Sequence, residues 1–264
     1  MNLCNSIDLF SCNVYSYLSR VFRYRLKMSE IGLTDIFIFQ IVDFCYTYKI
    51  SNVKIYATSW KVESKYGNDI DLFIKRPDGK YNRFVFQAKI MSYNGAYKDL
   101  KLKKKPNQWD KLLEHELKYK SKSFYLFFNG QQNFKPIKTN ATRKDCIGSP
   151  SITELGLGIV ETIYVKKIRE GLPNPYGQVY MRDFFPNYMD SIRKLFCCPG
   201  GGNEYSDLFG YDYSNIYLGA PYKLVTFQEA SDVDETEDLA SDILSGQNQD
   251  IASVRIIIDY GDAK

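Results

Sequence analysis

Histidine is nearly absent from this sequence: His115 stands alone, and the six cysteines (Cys4, Cys12, Cys45, Cys146, Cys197 and Cys198) form no C-x-x-C pair. A structural zinc needs four well-spaced nitrogen or sulfur ligands, so these counts argue against a zinc centre. Cys197 and Cys198, followed by Pro199, read as a helix end, and the economical reading is reduced thiols in a cytoplasmic protein. His115 lies among charges on a leucine-rich stretch and reads as a surface residue. No segment reaches the ~18 consecutive apolar residues of a membrane span, which removes a spanning helix and a membrane partner from consideration. The opening stretch carries Asp8 within its apolar pattern and its arginines at the far end, the reverse of a secretory signal.

What is present is a chain able to bury a core. Of 264 residues, 44% are hydrophobic and 25% charged, and the 22 tyrosines and 17 phenylalanines are expected mostly as filler. Net charge is +4 but unevenly spread: residues 229–264 hold ten acidic residues against Arg255 and Lys264, leaving +12 on residues 1–228. A basic body suits a polyanionic partner, and an acidic tail can compete for the same surface.

Leu3, Ile7, Phe10, Val14, Leu18 and Val21 recur at helical spacing and predict an amphipathic helix. A second helix is expected after Thr34 as its cap, with Ile36, Phe37, Phe39, Ile41, Val42 and Phe44 nearly encircling it and therefore deeply buried. "NVKIYATSW" reads as a strand, "RPDGK" as the turn of a hairpin, "KPNQWDKLLEHELKYK" as a helix and "SFYLFFNG" as a buried strand. Beyond Gly130, "ITELGLGIVETIYVKKIREG" fits strand or helix, "DFFPNYMDSIRKLFCCP" a short helix, and "VRIII" one more strand. The order predicts an α/β fold, a mixed β-sheet flanked by helices. Residues 1–199 are expected as one domain and 200–264 as a C-terminal extension.

The hairpin "YGNDIDLFIKRPDGKYNRFVFQAKI" carries polar residues where a core strand needs none. Alternation puts Asp69 and Asp71 on one face, and Gln87 and Lys89 on one face of the partner strand. Brought together, these groups would make a site for a hard cation, Mg²⁺ or Mn²⁺, with an ammonium beside it. The lysines of "KDLKLKKKPNQ" (Lys98, Lys101, Lys103, Lys104 and Lys105) read as a phosphate-tracking surface or a solvated loop.

These residues resemble the restriction-endonuclease-like superfamily, the PD-(D/E)XK nucleases, in the Mrr-like branch whose second acidic position is glutamine. "GND" (67–69) resembles the G-x-D of its second core strand, and "QAK" (87–89) its Q-x-K. The wider string "ES…GND…QAK…QWDKLL…YLFFN" also resembles an uncharacterised bacterial domain family with an E-S-x-x-G-A-D…Q-A-K pattern. The likeness covers roughly residues 29–130, and at most runs on to "FCC" at 196–198. It implies a restriction-endonuclease-like core in which Asp69 and Gln87 hold the metal and Lys89 is the catalytic lysine. Glu30 or Glu63 would be the additional acid, and Gln108 would lie over the site beside the nucleic acid. It departs from the family pattern at Gln87, which removes a charge that Glu30, Glu63 or Asp71 would have to supply, and at Asn68 and the extra Asp71.

The expected activity is metal-dependent endonucleolytic hydrolysis of DNA in a bacterial, phage-defence setting, with homo-oligomerisation left open. The alternatives are a catalytically inactive nucleic-acid-binding domain on the same fold and a protein-interaction module.

Overall fold

The computed structural model describes residues 3–58, 66–98, 100, 106–131, 148–172, 177–197, 210–219, 222–225 and 252–259. Glu63, Lys101, Lys103, Lys104, Lys105, Cys146, Cys198 and most of the acidic stretch lie outside them. In chain order the elements are α1 (Leu3–Arg23), α2 (Glu30–Thr47), β1 (Val53–Ala57), β2 (Ile70–Lys75), β3 (Tyr81–Ile90), β4 (Ala96–Tyr97) and α3 (Gln108–Tyr119). There follow β5 (Lys122–Phe128), β6 (Leu157–Glu161), α4 (Thr162–Gly171), β7 (Val179–Tyr180), α5 (Met181–Phe184), β8 (Asp190–Ser191), α6 (Arg193–Cys197), β9 (Lys223–Leu224) and β10 (Val254–Ile258). Among the described residues no helix is long and apolar enough to cross a membrane.

The six apolar residues read from the first segment are all buried on α1. The opposite side of that contact is Gly156, where an added Cβ would collide with the Ser11 carbonyl, so the helix can seat only against a glycine. Ser11 Oγ closes the seat, donating to Glu154 O at 2.7 Å and accepting from Leu157 N at 2.8 Å.

The second helix differs from its expectation. It begins one turn earlier, with Ser29 as the cap accepting from Gly32 N at 2.9 Å, while Thr34 lies inside and donates to Glu30 O. Leu33, Phe37, Ile41 and Phe44 are buried, but Phe39 is 60% exposed and Ile36 43%. A helix packed on one side can bury only one stripe, however apolar its other faces. Its early start places Glu30 in the first turn, beside the end of β3.

The main sheet has eight strands in the order β8-β6-β5-β3-β2-β10-β1-β9, with β2–β10 and β3–β5 parallel and the other neighbours antiparallel. The α/β class and the helix-flanked mixed sheet thus hold. The hairpin turn is at "RPDGK", where Gly79 takes φ +82°. Ile70, Leu72, Ile74, Phe84, Phe86, Ala88, Ile256 and Ile258 enter the larger apolar core, while Phe73, Tyr81 and Ile257 join a second, smaller cluster. Each fully buried Leu, Ile or Phe among them contributes about 1.5–3 kcal/mol relative to the same side chain left in water.

Three readings need correction. The "VRIII" strand is β10, inserted between β1 and β2, so a partition after residue 199 cuts an interior strand away from its sheet. His115 is wholly buried, with Nδ1 2.8 Å from Ser121 Oγ and its ring edge-on to Tyr66, while Leu117 is 80% exposed. The inner stripe of α3 therefore runs through Trp109, Leu112 and His115. Finally, Cys4 and Cys197 form a disulfide tying α1 to α6, with Arg193 Nε 3.3 Å from each sulfur. Cys12 and Cys45 are free. The expectation of uniformly reduced thiols, and the support it lent to a cytoplasmic location, does not survive this bridge. The ambiguous "ITELGLGIVETIYVKKIREG" is both kinds of element, β6 followed directly by α4.

Candidate functional site

The site is built at the start of β2 and the end of β3. Gly67 precedes β2 with φ +73°, a left-handed turn that delivers Asp69 to the edge of the hairpin. Asp69 N donates to Phe86 O at 2.8 Å, extending the Ile70–Phe86 pairing by one residue and bringing Asp69 opposite Gln87. Asp69 Oδ2 accepts from Gln87 Nε2 at 2.7 Å and from Ala88 N at 2.7 Å.

Two helices close over this pair. Lys89 is buried, and its Nζ donates to Glu30 Oε1 of α2 at 3.1 Å and to Ala88 O at 2.7 Å. Gln108, the first residue of α3, donates from Nε2 to Gln87 Oε1 at 2.5 Å. The absence of a side chain at Gly67 makes room for this amide pair: a Cβ there would lie 3.3 Å from both Gln108 Nε2 and Gln87 Oε1. Burial drives the Asp69 carboxyl up from 3.8 to about 6, offset by the Ala88 N–H and Lys89 and reinforced by Glu30.

Five of the residues singled out in the sequence therefore meet: Asp69, Gln87, Lys89, Glu30 and Gln108. Glu63 and the lysines 101 and 103–105 lie outside the described residues. Asp71 does not join them. It is fully buried, accepting from Asn68 Nδ2 at 2.7 Å, from Arg83 Nη2 at 2.5 Å and from Arg255 Nε at 3.2 Å. It is a structural anion holding β2, β3 and β10 together, so it cannot supply the carboxylate that Gln87 lacks. Asn68 is explained by the same cluster.

Sequence reasoning passed over Tyr125, which pairs with Gln87 across the parallel β3–β5 ladder. Its ring is wholly buried, and its hydroxyl has no hydrogen-bond partner among the described residues. In "SFYLFFNG" it reads as one more core aromatic; only the strand register sets it beside Asp69 and Gln87.

Among the described residues no group of three or more His, Cys, Asp or Glu side chains converges as a metal cage. The cluster offers two carboxylates, two amides and a lysine instead. Two comparisons with known proteins bear on the chain as a whole. A family model described as a family of unknown function, DUF6615, matches residues 3–259, and the chain belongs to that family. No curated protein matches it.

Proposed function

We propose that this member of the DUF6615 family is a metal-dependent nuclease that hydrolyses phosphodiester bonds in DNA through the Asp69–Gln87–Lys89 cluster. The observation that carries the reading is the meeting of Asp69 and Gln87 at 2.7 Å, with the buried Lys89 ammonium and Glu30 beside them. A basic body of +12 over residues 1–228 supports a polyanionic substrate.

The donor chemistry fits a hard cation. Every candidate ligand atom is an oxygen, which suits Mg²⁺ or Mn²⁺ rather than zinc. Asp69 is a buried carboxyl raised to about 6, a group whose charged form a cation would relieve. Asp69, Glu30 and the Gln87 amide oxygen would hold the ion. For Gln87 this requires its amide to turn over, since it presents Nε2 to Asp69. When bound, such an ion supplies Lewis-acid chemistry, lowering the pKa of water and neutralising phosphate charge.

The chain's own groups do the rest. Lys89 places a positive charge in a partly desolvated site, where it stabilises charge developing on the phosphate oxygens. Asp69 orients water for in-line attack: the water oxygen bonds to phosphorus as the phosphorus–oxygen bond to the leaving sugar breaks. The water gives up a proton to solvent, and the leaving sugar oxygen takes one up to become a hydroxyl. Gln108, hydrogen-bonded to the Gln87 amide, can answer its turnover by accepting from Gln87 Nε2 with its own amide oxygen.

Mg²⁺-dependent nicking of a plasmid tests this. Replacement of Asp69 or Lys89 by alanine should abolish nicking while the thermal unfolding transition remains cooperative. Undiminished cleavage by purified Asp69→Ala removes the assignment.

A second reading, DNA binding without cleavage, is favoured by two features: Lys89 is paired with Glu30, and among the described residues no third His, Cys, Asp or Glu joins the two carboxylates of the cluster. It requires salt-sensitive DNA binding independent of metal. Saturable Mn²⁺ binding that is lost in Asp69→Ala would exclude it.

A further inference from the structure

The Tyr125 hydroxyl poses a local problem that the described residues do not solve. Buried polar groups in folded proteins are almost always hydrogen-bonded, because an unmet donor forfeits its hydration without return. Tyr125 is 0% exposed and its hydroxyl has no partner among the described residues. A phenylalanine would fill the same space in the β5 run, where Phe124, Phe127 and Phe128 already do so.

Its position gives the hydroxyl a context. Asp69, Gln87 and Tyr125 lie in one row across β2, β3 and β5, because Asp69 extends the Ile70–Phe86 pairing and Gln87 pairs with Tyr125. The ring itself is fixed by stacking on Phe127, centroids 5.9 Å apart and 17° from parallel. Burial first, then the negative charges of Asp110, Asp69 and Glu30, hold the phenol far above its ordinary value of 10. A tyrosine hydroxyl is a hydrogen-bond donor in its ordinary neutral form. Asp110 is already engaged by Lys166 at 2.8 Å and by Asn107.

We propose that Tyr125 is a binding residue of the site, its hydroxyl donating a hydrogen bond to an oxygen of the group held over Asp69 and Gln87. This deepens the nuclease reading and rests on it. The shared chemistry of the bound group is an oxygen acceptor, either water carried by a divalent cation or a non-bridging oxygen of a DNA phosphate. The neutral phenol adds a directed donor without a second positive charge beside Lys89.

The test uses the full chain as wild type, Tyr125→Phe and Asp69→Ala. Mn²⁺ alone is titrated calorimetrically, and a short DNA duplex is titrated in Ca²⁺ by fluorescence anisotropy. Tyr125→Phe should unfold, without ligand, at or above the wild-type temperature, since it deletes an unmet polar group. It should also weaken one of the two interactions about fivefold, the loss of one ordinary hydrogen bond. Weaker Mn²⁺ binding identifies metal-held water as the acceptor, whereas weaker duplex binding alone identifies phosphate.

Equal affinities of wild type and Tyr125→Phe for both probes would overturn the proposal. So would a lower unfolding temperature without ligand, which would reveal an internal partner for the hydroxyl. Wild-type binding that Asp69→Ala loses and Tyr125→Phe retains sinks the Tyr125 role alone. A wild type that binds neither probe sinks the nuclease reading and this inference with it.

Discussion

Gln108 Nε2 donates to Gln87 Oε1 at 2.5 Å, while the other end of the same Gln87 amide donates to Asp69 at 2.7 Å. A side chain from the start of α3 thereby sets which atom of Gln87 faces the carboxylate. An amide can turn over about its last bond, and Gln108, being an amide as well, can answer with its own oxygen. Turned over, Gln87 would present Oε1 to Asp69, which two oxygens tolerate only with a proton or a cation between them.

Gln108→Glu is therefore expected to favour the cation-holding orientation, because a carboxylate accepts only from Gln87 Nε2. Mn²⁺ affinity should rise about fivefold, the size of one hydrogen-bond preference. The gain should persist at high salt, where a purely long-range charge effect would be screened. Calorimetric affinities unchanged from wild type would contradict the turnover.

The raised Asp69 carboxyl gives a pH dependence with a definite sign. Its folded value, about 6, lies above the ordinary 3.8, so the folded chain binds this proton more tightly than the unfolded chain. Its contribution to stability is full below 3.8 and is lost as pH rises through about 6. Asp69→Asn should flatten that part of the stability profile, measured by urea unfolding at a series of pH values. In the wild type, Mn²⁺ competes with the proton, so its affinity should increase as pH rises through the same window.

Asp71 should behave as a structural residue. Removing it leaves Arg83 and Arg255 without their shared carboxylate, and breaking a buried pair of this kind costs about 3–5 kcal/mol. Denaturant unfolding of Asp71→Ala should show a loss of that order. Its folded fraction should still bind Mn²⁺ with wild-type affinity; a large affinity loss would return Asp71 to the site.

The bridge between Cys4 and Cys197 closes a sequence separation of 193 residues. A cross-link over so long a loop removes much of the freedom of the unfolded chain, so Cys197→Ser is expected to cost about 2–4 kcal/mol. Thermal unfolding with and without reductant should reproduce the difference in the wild type alone. An identical wild-type midpoint under both conditions would show that the bridge does not form in solution.

The elements that the sequence announced were those whose signal is local. Period suffices for α1, where one face is buried and its pattern repeats along the chain; turn chemistry suffices for the hairpin at "RPDGK"; and β5 is legible as a short continuous apolar run, buried on both faces. The same alternation singled out Asp69, Gln87 and Lys89, since polar groups inside an apolar strand stand out wherever that strand packs. Where several arrangements shared one pattern, local reading failed. The all-round apolar composition of α2 hid which stripe is inward, and His115, read as a surface residue from the charges around it, took an inner position on α3.

Partners distant in sequence were beyond any such pattern. Strand pairing placed Val254–Ile258 beside Ile70–Lys75, committed Asp71 to Arg83 and Arg255, and set Tyr125 in line with Gln87. Helix packing carried Glu30 and Gln108 onto the same end of the hairpin. A residue's chemistry and periodicity are properties of its neighbourhood along the chain, whereas its hydrogen-bond partners depend on strand order and register. Those are settled by how the whole sheet buries its apolar faces.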